Sequence, residues 1–445
     1  MSFDERGLKM KNLFCLMAAC SMAACFAEEV VSGTEQPSTP VISVSNVKVE
    51  QDSLTKLVTV SYDLGDAPAI ITVDFLANGV SIGEENFNNV FGAVNRVVTQ
   101  TDTTHTIHWQ PSKSWPGHSG AEISAQVTAW DPADPPDYMA VALGDTSIAP
   151  VTYYVSTNAL PGTLADDVWR TSRLLMRRIH AKDVKWRMGE VEEDFVGATA
   201  KTDNGVNVNV LKSNAKAHQV TLTEDYFIGV YPITQEQYRR FTGASTLGGA
   251  FTEYEDSPIR PRTGLNFKDI RGEGTGVDHI VKEGSALYKM RDFTGIDFDL
   301  PTEAQWEYAG HAGVPGPLYS GKPLTSANVN ELAWVWHSDP QTHPVGRKIP
   351  NNWGLYDMIG NMLEWCLDRY VADLGSDDVI DPLTKEGADR VMRGSRYNYS
   401  WAPSHRITNR GSDIEGRSQA QAQAYGFRVM CPLTLKFPTI EEEVQ

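Results

Sequence analysis

The sequence predicts an α+β protein in two parts, and three observations carry that prediction. Apolar and polar residues alternate with period two through much of residues 41–157, the mark of half-buried strands. Beyond residue 158 the texture changes to short, capped helices among strands and many Gly, Asn, Asp and Pro residues. A chain of 445 residues is also too long for one ordinary hydrophobic core. The expected organisation is a signal segment at 1–27, a linker at 28–40, an all-β domain at 41–157, a second domain at 158–436 and an acidic tail at 437–445.

In the all-β part, Val58, Val60, Tyr62 and Leu64 alternate with Thr59, Ser61 and Asp63. Ile71, Val73 and Phe75 precede the turn pair Asn78-Gly79; Ile107 and Trp109 follow, then Ile123, Ala125, Val127 and Ala129. Short strands punctuated by turns indicate a β-sandwich of immunoglobulin or fibronectin III type. The loop DPADPPDY, 131–138, cannot continue a strand, and VTYYVST is expected as the last strand of the sandwich. His105 and His108 read as surface residues of a strand edge ahead of a metal pair.

Charge narrows the function classes. With 57 Asp+Glu against 39 Lys+Arg, the net charge of -18 excludes a general nucleic-acid binder, which needs a basic field. The apolar run LFCLMAACSMAACFA after Lys11 reads as an export signal, with small residues at the cleavage spacing before Glu28. Its two Met-Ala-Ala-Cys strings leave a bacterial lipoprotein anchor open, and the expected location is periplasmic, cell-envelope or secreted. No other segment is long and apolar enough to span a membrane. Outside the signal the cysteines are Cys366 and Cys431, equally readable as one disulfide or as two small buried residues.

In the second domain, Thr234 to Gln237 and Thr302 to Gln305 are capping boxes that open helices expected to stop at Gly243 and Gly310. Ser285 caps a third, carrying Leu287, Met290 and Phe293 up to Gly295. NNWGLYDMIGNMLEWC, 351–366, offers Asp357, Asn361, Glu364 and then Asp368 around Gly354 and Gly360, oxygen donors in a tight loop of the kind calcium accepts. A turn ahead of a buried aromatic segment, with Trp353, Tyr356 and Trp365 inside, is the other reading.

FIGVYPITQEQYRRF, DLPTEAQWEYAG, NNWGLYDMIGNMLEW, RVMRG and YGFRV occur in this order between residues 227 and 429. In these motifs the chain resembles the formylglycine-generating enzyme, or sulfatase-modifying factor, family over about residues 160–435. The resemblance implies a C-type-lectin-like fold and a structural calcium held through Asp357, Gly360, Met362 and Glu364. It also implies where chemistry would sit: family enzymes convert a sulfatase cysteine to formylglycine with oxygen and a copper-binding cysteine pair just after the RVxRGG motif. This chain has no cysteine from Leu367 to Met430, and a thiolate is needed both as a soft copper ligand and as a nucleophile. Copper is therefore not expected, and formylglycine generation is not either.

The segment in that place, RVMRGSRYNYSWAPSHRITNR at 390–410, has five arginines and no carboxylate. Arg396, Tyr397, Tyr399, Trp401, His405 and Arg406 are the candidate ligand-binding residues, because aromatic rings and forked donors suit carboxylates and sulfates. For Arg390, Arg393 and Arg410, pairing with the chain's own carboxylates is an equally good reading. The expected partner is an envelope or extracellular ligand: a glycan, a sulfated polymer or a protein. An alternative keeps an oxidoreductase that holds iron near His405, and no catalytic residue is assigned.

Overall fold

Residues 41–87, 89–144, 151–195, 215–245, 247, 257–272, 280–335, 341–399, 404–418 and 422–433 are described by the computed structural model. The expected signal at 1–27, the expected linker at 28–40, Trp401 and the expected acidic tail at 437–445 lie outside them. The described chain is mixed α and β, with mostly sheet and a few short helices.

The alternation in the N-terminal part becomes two sheets around one core. One sheet has strands Val44–Gln51, Val58–Leu64, Thr104–Trp109 and Val90–Gly92, in that spatial order. The other is centred on Ala69–Ala77, which pairs with Val80–Ser81, Arg96–Val98 and Ile123–Trp130. Every second residue of Val58–Leu64 is buried, so Val58, Val60, Tyr62 and Leu64 meet Ile71, Phe75, Ile107 and Trp109 between the sheets. Phe75 stacks on Trp109 at 4.5 Å. The Asn78-Gly79 pair forms its turn with φ of 53° and 80°, the left-handed conformation that hairpin turns of two residues require. His105 and His108 hydrogen-bond with the Gln100 carbonyl and the Thr59 hydroxyl, the ordinary duties of edge residues.

The boundary differs from expectation. Val151–Tyr154 pairs with Tyr138–Ala142, and that strand pairs with Arg173–Ile179 in a five-stranded sheet completed by Tyr226–Gly229 and Met430–Pro432. The two-sheet unit thus ends near Trp130. All five residues of Tyr138–Ala142 are buried, the signature of a strand covered on both faces, and YMAVA carries that continuous apolar pattern.

Three helices start where their caps lie: Thr234, Ser285 and Thr302 each accept a backbone N–H from the third residue onward. Gly243 and Gly295 end theirs in the left-handed conformation. The helix Glu303–His311 instead runs through Gly310 and ends at Ala312. A side chain at Gly310 would meet Ile407 at 3.2 Å, so this glycine serves close packing and does not stop the helix. In the third helix Leu287 and Met290 are buried while Phe293 is exposed. Cys366 and Cys431 are free, buried thiols in different apolar clusters, and burial pushes both thiol pKa values up.

Candidate functional site

Three of the motifs, NNWGLYDMIGNMLEW, RVMRG and YGFRV, contribute strands to one small sheet. Arg390–Arg393 lies antiparallel between Leu363–Arg369 and Gly411–Asp413, and Tyr425–Gly426 runs parallel beside Leu363–Arg369. Register sets Arg393 opposite Glu364 and Arg390 opposite Arg369.

Most of the positive charge of 390–410 points inward. Arg393 is fully buried; it donates to Glu303 at 3.1 Å, to Glu307 and to the Ile407 carbonyl, with its guanidinium 5.4 Å from the Trp306 ring. Arg410 donates to both oxygens of Glu303, at 2.6 and 2.9 Å. Arg390 reaches Glu415 at 2.8 Å. The helix Glu303–His311 organises this layer, because Glu303 and Glu307 stand one turn apart and face the same arginine. Burial alone would raise the Glu307 carboxyl, but Arg393, His311 and the Gly189 N–H together hold it down to about 2. Asp368, buried beside Glu303, is pushed the other way, up to about 7, by burial and by that neighbouring charge.

Three of the expected ligand contacts belong to this interior. Arg406 is fully buried and donates to Glu190 at 2.8 Å, an oxygen that Thr408 also donates to. Tyr397 is 4% exposed. His405 is 1% exposed, with Nδ1 2.6 Å from the Ser395 hydroxyl and Nε2 3.0 Å from the Tyr399 carbonyl. With both ring nitrogens engaged, His405 has no lone pair for a metal, and the buried Ser395 hydroxyl is closed to a substrate. Ser395 sits at φ 70°, a conformation disfavoured by about 1–2 kcal/mol for a residue with a side chain; its bond to His405 offsets that strain.

What remains at the surface is Arg396. It is half-buried, with its guanidinium 4.5 Å from the Tyr399 ring and 5.7 Å from that of Tyr425. Among the described residues its buried Nε has no hydrogen-bond partner, and neither has the Oδ1 of nearby Asn398. Tyr425 donates its hydroxyl to Asp413 at 3.0 Å, and burial, with Asp413, pushes that phenol up to about 12. Tyr425 stands in the motif YGFRV, whose sequence carries no sign that its ring completes this platform. A parallel pairing between Leu363–Arg369 and Tyr425–Gly426 brings it there, and no local signal announces such a pairing.

The expected calcium ligands do not make an oxygen cage. Glu364 accepts from Trp306 Nε1 at 2.7 Å and from Arg428 at 3.0 and 3.1 Å, so a buried guanidinium already neutralises it. Asp357 accepts the Gly346 N–H at 2.7 Å and the Asn361 amide at 3.2 Å, and burial raises its carboxyl to about 6. Gly360, at φ 77°, is needed because a side chain there would lie 2.6 Å from the Trp334 carbonyl; Met362 is packed inside. Among the described residues no three His, Cys, Asp or Glu side chains converge on a metal position. Of the four expected donors, which include the Gly360 and Met362 carbonyls, the two carboxylates are engaged by protein partners and the Gly360 carbonyl accepts the Met362 N–H at 2.7 Å, so the side chains alone do not supply the six to eight oxygens calcium takes.

Residues 188–432 match the family described as the sulfatase-modifying factor enzyme 1-like domain. The chain belongs to that family. Its relatives carry differing names. The serine/threonine-protein kinase Pkn1 of Chlamydia trachomatis is 30% identical over 225 residues, which cover 47% of this chain and 34% of the kinase. The formylglycine-generating enzyme of Bos taurus is 25% identical over 255 residues, 48% of this chain and 67% of the enzyme. Among solved structures, Treponema denticola variable protein 1 is similar with a TM-score of 0.44 and 23% identity, over 58% of this chain and 95% of that one. The chain spans about a third of the length of the Pkn1 kinases it matches.

Proposed function

We propose that this member of the sulfatase-modifying factor family is an exported recognition protein that binds an anionic group, and not a thiol–copper oxidase. One observation carries the reading: a guanidinium, that of Arg396, lies over the rings of Tyr399 and Tyr425 with a buried donor left unmatched, in the segment that follows RVMRG. An arginine stacked on aromatic rings is held in one orientation at little entropic cost, ready for a carboxylate or sulfate. The same stretch supplies no thiolate for copper, since no cysteine lies between Leu367 and Met430. The ligand is an envelope or extracellular component bearing such acids, and the N-terminal pair of sheets, read as an immunoglobulin- or fibronectin-like domain, serves as spacer. Iron chemistry at His405 is not part of the proposal, because both of its ring nitrogens are occupied.

The test compares dextran sulfate and polygalacturonate, as acidic polymers, with neutral dextran. Wild type is expected to retain an acidic polymer, and Arg396→Ala to lose about tenfold or more of that affinity, the worth of one hydrogen bond to a charged group. Equal retention by the variant, or no retention by wild type, ends the proposal. Release of formylglycine from a cysteine-containing sulfatase peptide under copper and oxygen would overturn its second half.

A further inference from the structure

The two-sheet domain carries a cleft of its own. A cavity of about 390 Å³ opens between the turn that follows strand Val44–Gln51 and residues 110–121, which leave the strand Thr104–Trp109. That volume lies within the range of small-molecule sites. Its floor is aromatic. Trp109 is fully buried and anchored by its Nε1, which donates to the Ser114 hydroxyl at 2.9 Å. Trp115 lies beside it, 6.2 Å between ring centroids, and the exposed His118 ring stacks on Trp115 at 3.9 Å with only 3° between the planes.

The rim is polar and nearly uncharged: Gln51, Ser112 and Ser119 line the opening, with Lys56 as its single ionic group. His118 Nδ1 faces the carbonyls of Trp115 and Pro116, at 3.3 and 3.1 Å, so this nitrogen carries the hydrogen when the ring is neutral. Its Nε2 is then an acceptor. Gly117 and Gly120 take φ of 81° and 79°, and the space beside each is open, so the loop turns sharply without filling the cleft.

We infer that this cleft binds a neutral saccharide, a mono- or disaccharide unit of a glycan. The C–H face of a sugar ring is weakly positive and packs on an electron-rich ring face, here that of the exposed His118 ring backed by Trp115; its hydroxyls match the neutral donors and acceptors of the rim. Apart from Lys56 the rim offers neutral donors and acceptors, which suit sugar hydroxyls, and the site is separate in place from Arg396. The inference stands on the Trp115–His118 stack and its cleft, independently of the function proposed for the second domain.

The experiment titrates the full chain with maltose, cellobiose, chitobiose, lactose and xylobiose, and with a polyproline peptide, following tryptophan fluorescence and isothermal heat. At least one disaccharide is expected to bind with a dissociation constant of about 1 mM or tighter, a modest free energy for a site of this kind. His118→Ala and Lys56→Ala, both at exposed positions, are expected to weaken it about three- to tenfold while melting like wild type, and Trp115→Ala to abolish it. Arg396→Ala should bind the sugar as wild type does. No disaccharide bound by wild type, unchanged affinity in all three cleft variants, or binding of the polyproline peptide alone overturns the inference.

Discussion

The two-sheet domain and the layer beneath residues 390–410 are stabilised by opposite means. Between the N-terminal sheets the core is apolar throughout, built from Val, Ile, Leu, Phe, Tyr and Trp side chains that alternate with solvent-facing polar residues. Beneath 390–410 the fully buried large side chains include Arg393, Arg406 and Arg428, each matched to a glutamate. A core of the first kind tolerates substitution in proportion to the volume removed. One of the second kind fails when a single partner is lost, because the other charge stays buried and uncompensated.

The largest effect should come from breaking one pair. Arg393→Met leaves Glu303 and Glu307 facing an apolar side chain and is expected to cost about 3–5 kcal/mol in denaturant unfolding. Arg393→Met/Glu307→Met should recover much of that loss, and a double variant no better than the single one would show that volume, not charge, dominates there. In the two-sheet core, Ile107→Ala is expected to cost about 2–5 kcal/mol, with no rescue available from charge. If it costs less than a surface change, the core described for that domain is wrong.

Titration separates the regions further. Asp368 has its folded-state carboxyl raised to about 7, so the folded chain holds a proton that the unfolded chain releases above its ordinary value near 3.8. Its contribution to stability is complete below that ordinary value and falls as pH rises toward 7, by at most about 1.4 kcal/mol per pH unit. Glu307 acts with the opposite sign: held down to about 2, it contributes above its ordinary value of 4.5 and is lost as pH falls below it. Melting temperature against pH should therefore fall between about pH 4 and 7, and Asp368→Ala should flatten that fall. An unchanged slope in the variant would place the effect elsewhere. The smallest effect is expected from chelation: dialysis against EDTA should leave the melting temperature unchanged, since Arg428 neutralises Glu364. A clear drop restored by calcium would reinstate the ion.

Legibility followed sequence distance. The strand Val58–Leu64, the Asn78-Gly79 turn and the three helix caps were readable because their causes lie within a few residues: alternation, a positive φ, a hydroxyl three positions ahead. The end of the two-sheet unit was missed because Val151–Tyr154 alternates as a sandwich strand would, while its partner Tyr138–Ala142 is claimed by a different sheet. At the candidate site, Arg396 and Tyr399 stay at the surface, but Arg406, Tyr397 and His405 turn inward. Arginine does not declare its side. Arg406 finds Glu190 across 216 positions of chain, and Arg393 finds Glu307 across 86.

By itself the sequence determined the order of strands and helices, the absence of cysteine from Leu367 to Met430 and the family to which residues 188–432 belong. Those properties depend on local spacing and residue identity. Only the tertiary structure decided which arginine of 390–410 is left to meet a ligand, since a guanidinium is neutralised or exposed according to carboxylates that folding brings from distant helices and strands. The same holds for the cleft beside Trp115, whose walls come from two segments more than fifty residues apart in the chain, well beyond the reach of local patterning.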